Sequence, residues 1–156
     1  MVSNDFDQRV LDICADKKVV FIFISKDDEV ETHSIIAELL SQGKIVVVPV
    51  AETKSNTIKI ARLMKFENLT TGAYGIYEPK EKIIFPKEDI DIFLVPGTIF
   101  DKEGNRKGRG KGYFDRFLAD VKGKKPIVGL CYGSQMVEKL ETNSWDIPVD
   151  YCIVKL

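Results

Sequence analysis

Two uninterrupted apolar runs, Val19-Val20-Phe21-Ile22-Phe23-Ile24 and Ile45-Val46-Val47-Val48-Pro49-Val50, constrain this chain more than any other feature. Both are rich in β-branched or aromatic residues, and neither alternates polar with apolar positions. A strand with one wet face alternates. A strand without alternation is covered on both faces, which is the habit of central strands in parallel sheets. Between the runs, Val30, Ile35, Ile36, Leu39 and Leu40 share one side of a helix that Asp27 or Asp28 can cap and Gly43 can stop. Strand, helix and strand within about 30 residues form a right-handed crossover unit.

The rest of the chain extends this pattern. Phe6, Val10, Leu11 and Cys14 predict an opening helix that ends near Asp16. Strand character returns at Ile90–Val95, where Pro96-Gly97 breaks it, and again at Ile127–Cys131 and Tyr151–Val154. Helices are expected from Tyr113 to Val121 and from Ser134 to Leu140. From Ala51 to Pro86 the pattern is weak, with a faint alternation around Ile58, Ile60 and Met64 and a turn-rich stretch from Thr70 to Pro79. Alternating strands and helices predict the α/β class, as one domain over 1–156 with a mainly parallel sheet flanked by helices in a Rossmann-like three-layer arrangement.

Composition narrows the function classes. With 44% hydrophobic and 30% charged residues in 156, the chain has the balance of a folded globular protein. The formal net charge of -1 gives the whole molecule no reason to seek nucleic acid or an anionic membrane. The N-terminus lacks the pattern of a secretory signal, and no apolar run approaches the roughly 20 residues that cross a bilayer. Cys14, Cys131 and Cys152 are odd in number and lie among apolar neighbours, as buried thiols do. A cytoplasmic location is the expectation.

Against this neutral background one segment is strongly basic. Lys102, Arg106, Lys107, Arg109, Lys111 and Arg116 face only Glu103 and Asp115 over the same stretch. It follows the strand ending at Val95, and in parallel sheets ligands sit beyond the carboxyl ends of the strands. Gly108, Gly110 and Gly112 alternate with Arg109 and Lys111, so the backbone can approach an anion and turn several N–H groups toward it. The start of the next helix at Gly112 or Tyr113 would aim its positive end at the same place. Asp115, one turn in, is placed to hold magnesium. The alternative is a solvated surface loop. The pattern is neither a Walker loop nor a dinucleotide fingerprint.

Val95-Pro96-Gly97-Thr98-Ile99-Phe100-Asp101 followed by Gly104-Asn105-Arg106-Lys107-Gly108-Arg109-Gly110-Lys111-Gly112-Tyr113-Phe114-Asp115 strongly resembles the signature of the 5-formyltetrahydrofolate cyclo-ligase family, also called 5,10-methenyltetrahydrofolate synthetases. Matches in the expected order occur at Glu29-Val30-Glu31-Thr32, at Tyr74-Gly75-Ile76-Tyr77-Glu78-Pro79, and at Asp146 with Val149-Asp150. The resemblance covers roughly Val19 to Val154. It implies an ATP- and magnesium-dependent conversion of 5-formyltetrahydrofolate to 5,10-methenyltetrahydrofolate, with release of ADP and phosphate. A formamide oxygen is a very poor leaving group; phosphorylating it lets the folate N10 close the ring. That step asks the protein for positioning and charge neutralisation more than for a nucleophile.

The resemblance also implies residue roles. Arg106, Lys107, Gly108, Arg109, Gly110, Lys111, Gly112, Tyr113 and Phe114 would line the ATP phosphates. Arg109 to Tyr113 would also meet the folate, with Arg109, Lys111 and Tyr113 at the transferring oxygen. Asp115 and Asp146 match metal positions, while Ile24, Glu29 and Tyr74 match the end that holds the pterin. A carboxylate suits the paired N–H donors of an aminopyrimidinone, although the residue pattern alone reads Glu29 as an acid in the first turn of a helix. Two departures stand out: the chain begins after the basic N-terminal helix usual in the family, and Phe114 replaces a common tyrosine. The substrate is a small molecule, a folate that can carry a polyglutamate tail, and the protein is expected to be a monomer or homodimer. The alternative function is a folate- or nucleotide-binding regulator with weakened catalysis. His33, the only histidine, is expected to be an ordinary helix residue rather than a substrate contact; Tyr74, Tyr77 and Trp145 could stack on a flat ring, but aromatics at loop and strand ends are expected to cover the core.

Overall fold

The computed structural model describes residues 5–52, 57–71, 77–108 and 112–156. The first apolar run forms β1 (Val19–Ile22), buried at all four positions, and pairs in parallel with β2 (Ile45–Glu52) on one side. On its other side lies β6 (Ile92–Val95), also parallel and fully buried. β9 (Ile127–Tyr132) and β11 (Tyr151–Lys155) continue the parallel sheet outward. β3 (Thr57–Leu63) closes the other edge and runs antiparallel to β2. The order β11-β9-β6-β1-β2-β3 is an α/β arrangement with a mainly parallel sheet, as expected.

The apolar runs hide a period of two that only a sheet with two dry faces reveals. Val20 and Ile22 point into one cluster with Phe6 and Val10 of α1 (Asp5–Ile13) and Ile35, Ile36 and Leu39 of α2 (His33–Ser41). Val19 and Phe21 point the other way, to Phe93, Phe117 and Leu118, the last two from α3 (Tyr113–Leu118). Each large apolar side chain so buried contributes about 1.5–3 kcal/mol, which makes register errors in these strands expensive.

Three expectations need correction. α2 begins at His33, and Asp27 and Asp28 do not cap it; Asp27 sits at φ 48° in a loop that precedes the helix. Ser134 to Leu140 is not a helix: a short 3₁₀ turn at Gly133–Gln135 leads into β10 (Met136–Val137). Tertiary hydrogen bonds outcompete helix formation there, for Gln135 donates to the Gly97 carbonyl and Leu140 N–H to Asp101 Oδ2. The long polar loop after Val95 is in part a hairpin, β7 (Ile99–Asp101) and β8 (Arg106–Lys107), with β10 parallel to β7. In the stretch that sequence pattern left obscure, besides β3, β4 (Leu69–Thr71) pairs antiparallel with β5 (Tyr77–Pro79). Among the described residues no helix is long and apolar enough to cross a membrane.

Candidate active site

A cavity of about 510 Å³ opens beyond the carboxyl ends of β1, β2 and β6. Two loops contribute to its wall. The loop after β1 is braced from within: Ser25 N–H donates to Thr32 Oγ1 and Thr32 N–H to Ser25 Oγ, both at 2.9 Å. Thr32 Oγ1 in turn donates to the Phe23 carbonyl at 2.9 Å, and both residues are buried. This brace holds out a turn in which Lys26 N–H donates to Glu29 Oε1 at 3.0 Å. Glu29 and Ile24 both line the cavity, and Glu29 lies in the loop before α2 rather than in the first turn of a helix.

The loop after β6 is organised by Asp101, which is 1% exposed. Its Oδ1 accepts the N–H groups of Glu103 and Asn105, and its Oδ2 accepts Asn105 Nδ2 and Leu140 N–H. Burial alone would raise its pKa, but these four donors outweigh burial and hold the carboxyl below its ordinary range. The ring of Phe100, fully buried, wedges between two glycines. A Cβ on Gly97 would lie 2.7 Å from it, and one on Gly129 of β9 would lie 2.6 Å from it.

That hairpin delivers Arg106 and Lys107 to the cavity. Arg106 is 4% exposed, donates through Nε to the Pro96 carbonyl at 2.9 Å, and lies 3.8 Å from Asp115 Oδ1. Burial lowers its pKa, while Asp115 and Asp146 pull it back up. Its guanidinium also stands 5.3 Å over the ring of Phe114. Phe114 is therefore a platform for the cation, packed edge-on against Phe21 and Phe117. Lys107 Nζ donates to Asp146 Oδ2 at 2.7 Å. Asp146 is held ionised below its usual range by the Asn143 N–H first and Lys107 second, against the cost of burial.

The structure thus brings Asp115 and Asp146 to one cavity with Arg106, Lys107, Gly108, Gly112, Tyr113 and Phe114. Gly112 has φ 69°, a left-handed backbone that glycine adopts without strain, immediately before α3. A Cβ on Gly108 would sit 2.9 Å from Arg106 Nη2, inside the space the guanidinium uses. Because α3 has only six residues, its dipole adds less than a longer helix would. Arg109, Gly110 and Lys111 lie outside the described residues, as does Tyr74.

Among the described residues that line the cavity, four are acidic (Asp28, Glu29, Asp115, Asp146) and three are basic (Lys26, Arg106, Lys107). Interleaved charges of this kind suit a metal-bound anion better than a bare one, since the carboxylates would repel an anion that arrived without its cation. Sequence reasoning missed Asn143 and set Trp145 among the core-covering aromatics; both border the cavity. Trp145 is 65% exposed and Tyr77 40%, so neither covers the core as expected. Only the adjacency of Trp145 to Asp146 could have signalled its place. His33 is, as expected, a helix residue, and it is the first of α2; its Nε2 lies 3.1 Å from the Ser25 carbonyl oxygen, and its ring meets Phe66 and Tyr77 edge-on. Cys14 and Cys131 are buried and Cys152 partly so, all as free thiols.

Comparison with known proteins adds an independent line. The model of the 5-formyltetrahydrofolate cyclo-ligase family matches residues 2–155. The 5-formyltetrahydrofolate cyclo-ligase of Haemophilus influenzae is 35% identical over 136 residues, spanning 85% of this chain and 73% of that protein. The enzyme of the same name from Mus musculus is 34% identical over 144 residues, 85% of this chain and 71% of its own. The NMR structure of Aquifex aeolicus 5,10-methenyltetrahydrofolate synthetase superposes with a TM-score of 0.74 at 34% identity, covering 96% of this chain and 77% of that one. A 5,10-methenyltetrahydrofolate synthetase from Mycoplasma pneumoniae has the same TM-score at 22% identity, over 95% of this chain and 81% of its own, and speaks for the fold alone.

Proposed function

This chain belongs to the 5-formyltetrahydrofolate cyclo-ligase family, and from that premise we propose that it converts 5-formyltetrahydrofolate to 5,10-methenyltetrahydrofolate with consumption of ATP in the presence of magnesium. The observation that carries the reading is the single cavity bordered by Asp115, Asp146, Arg106 and Lys107 on one wall and by Glu29 and Ile24 on another. ATP and magnesium, when bound, supply a phosphoryl group that turns the formyl oxygen into one able to leave.

The residues fit those groups. Asp115 and Asp146 would hold the metal: both carboxylates border the cavity, and Asp146 is already kept ionised by its partners. Arg106, Lys107, Phe114 and the backbone from Gly108 through Gly110 to Gly112 would take the phosphates, for which a Cβ-free approach beside a buried guanidinium is suited. Arg109, Lys111 and Tyr113 are assigned to the reacting oxygen, where they orient it and balance charge. Glu29, Ile24 and Tyr74 are assigned to the pterin, with the Glu29 carboxylate accepting its N–H donors. The apolar lining from Phe23, Pro49 and Ile58 excludes water from the reacting groups. We further read the chain as one three-layer, Rossmann-like domain, acting in the cytoplasm as a monomer or homodimer on folates that include polyglutamylated forms.

The test is direct. Purified protein mixed with 5-formyltetrahydrofolate, ATP and magnesium is expected to generate the absorbance of the methenyl product, and omission of either ATP or magnesium to abolish it. Folded protein that yields no methenyl absorbance would overturn the reading; calorimetric binding of both ligands without turnover would leave a regulator in its place.

A further inference from the structure

Trp145 is the only tryptophan of the chain, and it is left 65% exposed at the border of the candidate cavity. Among the described residues no aromatic or cation–π contact involves its ring. Exposed at the border of a cavity, a flat ring of this size offers a face on which a planar ligand can stack.

Its backbone, by contrast, is tightly held. Asp146 N–H donates to the Asn143 carbonyl at 3.1 Å, and Asn143 N–H donates to Asp146 Oδ2 at 2.8 Å, which closes the turn that carries Trp145. The same Asp146 oxygen accepts Lys107 Nζ at 2.7 Å, and the next residue, Ile147, donates its N–H to Asp115 Oδ1 at 3.0 Å. The indole is therefore mounted on a turn whose ends are fastened to both carboxylates and, through Asp146, to a cation of the candidate phosphate site.

We propose that Trp145 is the stacking surface for the purine base of the nucleotide, an inference that rests on the function proposed above. The turn's anchors are the groups assigned to metal and phosphates, whereas the pterin is assigned to Glu29 and Ile24 on the loop after β1. A base one ribose away from its phosphates falls at the margin of that anchored cluster, where an exposed, pre-positioned ring stands. Stacking on a π face distinguishes purines poorly, so Trp145 supplies affinity and leaves base selection to hydrogen-bonding groups.

Three proteins test this: wild type, Trp145→Ala and Trp145→Phe. Truncation is expected to raise KM for ATP about tenfold, the fold-change typical of one lost base stack. KM for GTP, where GTP is used, should rise by the same factor. kcat and KM for the folate should stay within about twofold, phenylalanine should restore most of the loss, and an unchanged thermal midpoint should follow from the ring's exposure. Because the indole is unique, its fluorescence in wild type should also change saturably on titration with magnesium and ATP. An unchanged KM for ATP in Trp145→Ala, or a rise confined to the folate, overturns the stacking role and leaves the cyclo-ligase reading intact. Wild type that binds no nucleotide in calorimetry overturns both.

Discussion

The two loops that rise from the adjacent strands β1 and β6 reach the same cavity by opposite means. The loop after β1 is braced locally: Ser25 and Thr32 exchange neutral hydrogen bonds across seven residues. The loop after β6 leans on distant parts of the chain, since Asp101 is bonded by Leu140, Arg106 is paired with Asp115, and Lys107 with Asp146. Neutral local bonds make a frame whose shape does not depend on what is bound. Charged long-range pairs make a surface whose partners can be exchanged for a ligand's charges. The first loop should therefore govern stability with little bearing on nucleotide, and the second should couple the two.

The sharpest division is expected at Asp115. Asp115→Asn keeps the shape and removes the charge, and should lower turnover by about a thousandfold, as loss of a metal ligand or of a preorganised charge does. Thermal unfolding should show the protein still folded. Next, Thr32→Val removes a buried hydroxyl that serves the Ser25 N–H and the Phe23 carbonyl. Stranding both groups should cost about 2–4 kcal/mol in urea denaturation, with KM for ATP unchanged. If KM rises as well, the two loops are not separable as described.

Acid provides a third probe. The folded-state pKa of Asp101 is lowered, so its stabilising contribution is complete above the unfolded value near 3.9 and is lost as pH falls through the lower folded value. Urea midpoints should therefore drop below about pH 4 in wild type, and this drop should be shallower in Asp101→Asn, whose midpoint is already reduced at neutral pH. The smallest effect is predicted for Lys107→Met. Its partly exposed ion pair is worth under about 1 kcal/mol of stability, yet KM for ATP should rise about fivefold as a phosphate contact is lost.

Much of the framework could be read from residue order alone. Val19–Ile24 and Ile45–Val50 announced buried parallel strands because apolar runs without alternation admit few other homes. β3 stayed obscure because an edge strand, half exposed, carries a diluted pattern at Ile58 and Ile60. The helix expected at Ser134–Leu140 failed for a different reason: its residues satisfy backbone and side chains of Gly97, Thr98 and Asp101, and such long-range partners leave no local trace. In the site, glycine and cation spacing located Arg106 and Lys107, the start of the next helix pointed to Asp115, and Asp146 was named only through family likeness. Their pairing with those two cations was not legible, since it depends on folding residues 106–107 back against 115 and 146. Trp145 was misjudged because an indole in a turn looks, from sequence, like any other core-covering aromatic.

The Phe100 ring, gripped where Gly97 and Gly129 offer bare backbone, acts as a dowel between hairpin and sheet. Such a joint transmits position by shape, without charge and without any hydrogen bond that water could loosen. A single added methyl at residue 129, one strand away from the β6 loop, would thus push on the hairpin that carries Arg106 and retune the grip on a ligand that it never meets.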